Sequence, residues 1–94
     1  MENFPKVQPV GYEQVTVSTT AIGITPPAGA SRAVCVVEAE PLRYREDGTD
    51  PTATVGFLAV ATTVFELPSR TAIDQFKAIR DGSTDAVLSI NYYK

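Results

Sequence analysis

The sequence predicts a small all-β fold, an antiparallel β-sandwich. Three observations carry that reading. Apolar and polar residues alternate in about seven or eight short runs, the period of strands with one covered face. Gly, Pro, Asp and Ser signals interrupt those runs about every 8–12 residues. Helical spacing occurs in a single short stretch, Ser69 to Phe76. A jelly-roll form of the sandwich and a meander barrel both fit this pattern.

The 94 residues suffice for one domain. A chain of this length buries roughly 60–65% of its unfolded surface, so its core is modest and association with further copies would add stability. Residues 1–12 carry Pro5, Pro9 and Gly11 and few periodic apolar positions. They read as an extended N-terminal arm, either disordered or packed on something else, a neighbouring copy being one such support. Residues 13–94 form the sandwich domain.

Within that domain, Glu13 to Thr20 alternates, with Val15 and Val17 opposite Gln14, Thr16 and Ser18. Pro26-Pro27-Ala28-Gly29-Ala30 is a rigid loop. Arg32 to Glu40 is the strongest strand. Its first half is apolar on both faces, as in a central strand, and its second half sets Val37 and Ala39 against Glu38 and Glu40. Pro41 ends it.

Leu42 to Gly56 reads as strand, tight polar turn, strand. Leu42 and Tyr44 share one face, and Arg43 and Arg45 share the other. Asp47-Gly48 supplies the left-handed backbone of a hairpin turn. Pro51, lacking an N–H, should lie outside a central ladder. Val55 to Ala59 is a short apolar strand in which Gly56 marks a bulge or a close backbone approach. Thr62 to Leu67 is a further strand, ended by Pro68.

Ser69 is the N-cap of a short helical turn with Ala72, Ile73 and Phe76 on its apolar side. Lys77 to Arg80 resumes as strand, Asp81-Gly82 turns, and Ala86 to Tyr93 alternates strictly, with Ala86, Leu88, Ile90 and Tyr92 on one face. One of Tyr92 and Tyr93 belongs to the core, and the other is a surface or interface aromatic. Arg45-Glu46-Asp47-Gly48-Thr49-Asp50 echoes Arg80-Asp81-Gly82-Ser83-Thr84-Asp85, which two similar hairpin turns explain without duplication.

Catalytic chemistry finds little material. The chain has no histidine and one cysteine, so Ser–His and Cys–His nucleophile pairs and zinc-finger spacing are excluded. Cys35 sits in an apolar run and reads as a small buried hydrophobe, without oxidative stapling, as in a reducing compartment. Net charge is −3, from 8 basic and 11 acidic residues, which disfavours nucleic acid and anionic membranes as partners. The N-terminus lacks a secretory pattern, and no apolar stretch approaches the roughly 20 residues of a membrane span.

The clusters Glu46, Asp47, Asp50 and Asp81, Asp85 invite a calcium reading, but EF-hand spacing is absent and arginines stand beside both. Solvated turn residues are the better account. Glu38 and Glu40 share a strand face, without further support for a glycosidase pair. Arg43 and Arg45 form either a solvated or cross-strand-paired face or an interface stripe for carboxylates of a neighbouring subunit. No cofactor and no metal site are expected, and the chain is not read as an enzyme.

The run Arg43-Tyr44-Arg45-Glu46-Asp47-Gly48-Thr49-Asp50-Pro51-Thr52-Ala53-Thr54-Val55-Gly56 resembles a group of small tailed-bacteriophage and prophage virion proteins. In these an arginine–aromatic–arginine strand enters an acid-Gly-Thr-x-Pro-Thr loop and a Gly-containing strand. Ser69-Arg70, Phe76-Lys77-Ala78-Ile79-Arg80 and the ending Leu88-Ser89-Ile90-Asn91-Tyr92-Tyr93 fit the same group, so the resemblance spans about residues 13–93.

The resemblance implies a non-enzymatic particle component: a capsid decoration (cement) protein, or a head–tail or tail accessory protein. The expectation is a homo-oligomer, a trimer, assembled in the bacterial host cytoplasm. It sits in the virion over joints between major capsid protein subunits, without nucleic acid or membrane. The residues expected to make contacts are Phe4, Pro5, Val7, Pro9 and Tyr12 of the arm, Arg43 and Arg45, and Glu46, Asp47, Asp50 and Pro51 of the loop. A different class of function is a carbohydrate- or host-surface-binding module using Tyr44 with Asp47 and Asp50.

Overall fold

A computed structural model describes residues 8–94. These form β1 (Pro9–Val17), β2 (Arg32–Ala39), β3 (Leu42–Arg45), β4 (Phe57–Ala59), β5 (Val64–Leu67), α1 (Arg70–Gln75), β6 (Lys77–Arg80) and β7 (Ala86–Tyr93). Two antiparallel sheets result, one ordered β1-β7-β2-β5 and the other β4-β3-β6. The fold is a small all-β sandwich. Only β3 and β4 are neighbours in both sequence and sheet, so a meander is excluded.

The core follows from alternation. Ala86, Leu88, Ile90 and Tyr92 of β7 are buried, and Ala33, Cys35 and Val37 of β2 lie directly across from Tyr92, Ile90 and Leu88. Leu42 and Ala59 cover them from the other sheet, and Ala72, Ile73 and Phe76 close one end. Each fully buried Leu or Ile contributes roughly 1.5–3 kcal/mol of apolar transfer. Tyr92 is the core member of the tyrosine pair, its hydroxyl donating to Glu13. Helix α1 is capped as expected, with Ser69 Oγ accepting the Ala72 N–H at 3.1 Å. Six residues do not hold a helix alone, and α1 is held by packing on β2 and β5.

Three elements depart from the pattern. Strand β1 starts at Pro9, so Pro9 and Tyr12 of the anticipated arm lie in a sheet. Proline is tolerated there because β1 is an edge strand and Pro9 is its first residue. The chain leaves β1 at Val17, and Ile22 then bridges Ala78 through two 2.9 Å backbone bonds that cover the free side of β6. Phe4, Pro5 and Val7 lie outside the described residues.

The second departure is at the end of β2. A register shift between Val37 and Ala39 and a positive φ of 61° at Glu40 break the alternation. Ala39 is exposed and does not share the buried face of Val37. Glu38 and Glu40 are exposed as well, and the irregularity removes the strand spacing that would have aligned them. Pro41 then carries the chain from one sheet to the other.

The third departure corrects the tight turn anticipated at Asp47-Gly48. Strands β3 and β4 do pair, with Leu42 opposite Ala59 and Tyr44 opposite Phe57. They are joined by the long loop 46–56. Gly48 has the expected left-handed φ of 82°, but its turn is one bend within that loop.

Candidate functional site

Loop 46–56 is built around Arg43. Its Nε donates to the Ala53 carbonyl at 3.1 Å and to Asp81 Oδ1 at 2.8 Å, and Nη1 donates to the Gly56 carbonyl at 3.0 Å. One planar guanidinium thereby ties β3 to the second half of the loop at two points and to the turn after β6. Pro51 is buried beneath it. Thr52 organises the tip, its Oγ1 accepting the N–H groups of Thr54 and Val55 at 3.3 and 3.0 Å. The loop base rests on α1 through Gly48 N–H to the Gln75 carbonyl at 3.3 Å.

The loop frames an aromatic group that joins the two sheets. Tyr44 of β3 stacks on Phe65 of β5 with centroids 4.2 Å apart and planes at 8°. Phe57 of β4 meets Tyr44 edge-on at 5.7 Å, and Phe76 lies 5.6 Å away. Beside these rings opens a groove of about 650 Å³ lined by Tyr44, Arg45, Glu46, Asp47, Val55, Gly56 and Phe57. It opens at the loop end of the β3–β4 hairpin, beside the first residue of β4, and β4 is an edge of its sheet.

Sheet edges are templates for pairing unless they are blunted by charge, proline or a covering segment. The β6 edge is covered by Ile22. Strand β1 opens with Pro9, and β5 carries Glu66, paired with Arg32, before Pro68. No such device protects β4 among the described residues. Val55 to Ala61 contains no charge, and Val55, Phe57, Leu58 and Val60 are 50%, 71%, 51% and 53% exposed.

Most of the carboxylates of this loop and of the turn after β6 are spent within the chain. Asp47 pairs with Arg45, Asp50 lies 3.9 Å from Lys77, Asp81 pairs with Arg43 and Asp85 with Arg80. The Arg45 hydrogen bond, with help from Thr49 N–H, holds the Asp47 carboxyl below its usual value. Among the described residues no three His, Cys, Asp or Glu side chains gather as a metal site. Glu46 is the exception to the pairing. It makes no ion pair among the described residues, and burial pushes its carboxyl above the usual value.

Burial, and secondarily Glu46, push the Cys35 thiol up to about 12, so it stays protonated and acts as a packed apolar group. The same two causes raise the Tyr44 hydroxyl.

The expected contact residues thus separate. Glu46 and Asp47 line the groove, and Arg45 beside them is engaged with Asp47. Arg43 and Pro51 are internal supports of the loop. Pro9 and Tyr12 stand on the opposite sheet, where Tyr12 is 61% exposed and its hydroxyl lies 3.1 Å from Ser89 Oγ. Tyr44, singled out for glycan stacking, has one ring face covered by Phe65.

Val55, Phe57, Leu58 and Val60 were not among the expected contacts. The signal for them is a seven-residue apolar stretch without a single charge or proline to guard it. No protein-family model, curated protein or solved structure matches the chain.

Proposed function

We propose that this protein is a non-enzymatic structural component of a bacteriophage virion, a capsid decoration or cement protein. It acts by associating with itself, as a trimer, and with major capsid subunits. The observation that carries the reading is the unprotected apolar edge at β4, a surface suited to joining another chain. The phage assignment rests on the resemblance in residues 43–56, and the sandwich with its internally paired charges is compatible with it. Association across such an edge removes apolar surface from water and raises the cost of separating the joined subunits.

The test is reconstitution. Purified protein is added to particles that lack it, and bound protein is measured by sedimentation and imaging. Saturable binding at capsid joints is expected, together with self-association in solution. Leu58→Lys, which places a charge on the open edge, is expected to weaken both. A protein that stays monomeric and binds no particle overturns the proposal. Density at the head–tail junction alone assigns it instead to the accessory class.

A further inference from the structure

We propose that the groove beside Tyr44 and Phe57 receives the N-terminal segment of a second copy, Phe4-Pro5-Lys6-Val7. This rests on the reading above that the chain self-associates. It names what fills the site.

The groove calls for a particular chemistry. Its walls are the rings of Tyr44 and Phe57 and the side chain of Val55, and Glu46 is its one charge without an ion-pair partner among the described residues. A fitting occupant brings an apolar anchor for the rings and a nearby cation for the carboxylate, on one face of an extended segment. Residues 4–7 have that order. In an extended segment Phe4 and Lys6 fall on one face and Pro5 and Val7 on the other. Phe4 would meet the rings while the Lys6 ammonium meets Glu46. Pro5 lacks an N–H, which a segment seated through its side chains does not need.

Topology directs the segment to another copy. The segment leaves from Gln8, whose carbonyl accepts the Lys94 N–H, and the chain meets β6 at the opposite end of β1, where the Arg80 N–H donates to the Ser18 carbonyl. Strand β4 is at the far edge of that sheet. Two strand spacings and the gap between sheets make a surface path of about 20 Å. Four residues from Gln8 to Phe4 span at most about 14 Å. The groove of its own chain is thus beyond the reach of Phe4, and that of a neighbour is not. An arm-to-groove contact is head-to-tail, the kind that closes into rings such as a trimer.

The test is a charge exchange read by sedimentation velocity and native mass spectrometry on the full chain. Lys6→Glu and Glu46→Lys are each expected to weaken self-association about fivefold or more. Carrying both restores it to within about twofold of the unaltered chain. Deleting residues 2–7 gives monomers. Circular dichroism checks folding, and if Glu46→Lys is unfolded, the cycle is run with Glu46→Gln and Lys6→Gln, where non-additivity is expected. Additive effects, failed restoration or a deletion that still associates overturn the inference. If the deletion associates but Leu58→Lys does not, the edge reading stands and only the arm is excluded. An unaltered chain that is monomeric at all concentrations overturns both.

Discussion

The ring of Tyr44 lies 4.2 Å from that of Phe65, nearly parallel, and the two residues belong to different sheets. This stack is a direct tie between the layers at the end where the groove opens. Tyr44→Ala or Phe65→Ala is expected to cost about 2–3 kcal/mol, below the value for fully buried rings. The double variant should fall short of the sum by about 1 kcal/mol, the specific worth of a stacked pair. Urea denaturation of the four proteins measures this. Strict additivity would mean that the two rings contribute only separate burial.

Arg43 makes three hydrogen bonds that no other side chain can reproduce together. Arg43→Met keeps much of the apolar stem and removes the guanidinium. The expected loss is about 1–3 kcal/mol, with protease cleavage appearing within loop 46–56. Arg43→Lys should not rescue it, because one ammonium cannot span the Ala53 and Gly56 carbonyls and Asp81 as a planar fork does. A lysine variant of normal stability would show that charge alone holds the loop.

Much of the fold is legible from local pattern, and the exceptions have non-local causes. Ala86 to Tyr93 alternates without interruption, and both it and Lys77 to Arg80 form strands with the bounds the sequence predicts. Ser69 is readable because capping involves residues three apart. Asp47-Gly48 misleads because its turn signal is real but is absorbed into a longer loop. That loop's path is set by Arg43 and Pro51, which meet only in the folded chain.

The site is legible in part, because Glu46 and Asp47 announce a polar loop. The uncharged stretch around Phe57 becomes a sign of exposure only once the strand order places β4 at an edge, since an apolar strand by itself reads as buried. The bulge beyond Val37 is likewise a property of how β2 meets β7.

Gly56 combines a φ of 137° with a crowded site. A Cβ there would stand 3.1 Å from Pro51 Cβ and 3.2 Å from both Arg43 Cβ and the Tyr44 carbonyl. Gly56→Ala is expected to cost about 2 kcal/mol or more, from backbone strain and displaced neighbours. Gly82→Ala serves as the control, since a Cβ at Gly82 meets nothing within 4 Å. Equal melting temperatures for the two variants would remove the close approach as a determinant of the loop.

Cys35 is fully buried and its thiol is held protonated. Iodoacetamide at pH 8 is expected to leave the native protein unlabelled and to react only on unfolding. The labelling rate then reports global opening. Cys35→Ser should destabilise by about 1–3 kcal/mol by leaving a hydroxyl in an apolar site. Rapid labelling of the native protein would contradict this burial.

Two carboxylates should respond to pH with opposite signs. The Ser18 hydroxyl and then the Arg80 guanidinium lower the Asp85 carboxyl below its ordinary 3.8. Its stabilisation is present above that value and is lost as pH falls through the lower folded-state value. Asp85→Asn should therefore lower Tm at pH 7, and the gap should close in strong acid. Burial raises Glu46 above its ordinary 4.5, so the fold disfavours its ionised form. That penalty applies at neutral pH and disappears as pH falls through the raised value and below 4.5. Glu46→Gln should accordingly raise Tm at pH 7, measured at protein concentrations too low for self-association. The gain should vanish in acid. A Glu46→Gln protein that melts lower at pH 7 under those conditions would mean that the carboxylate already has a cationic partner within its own chain.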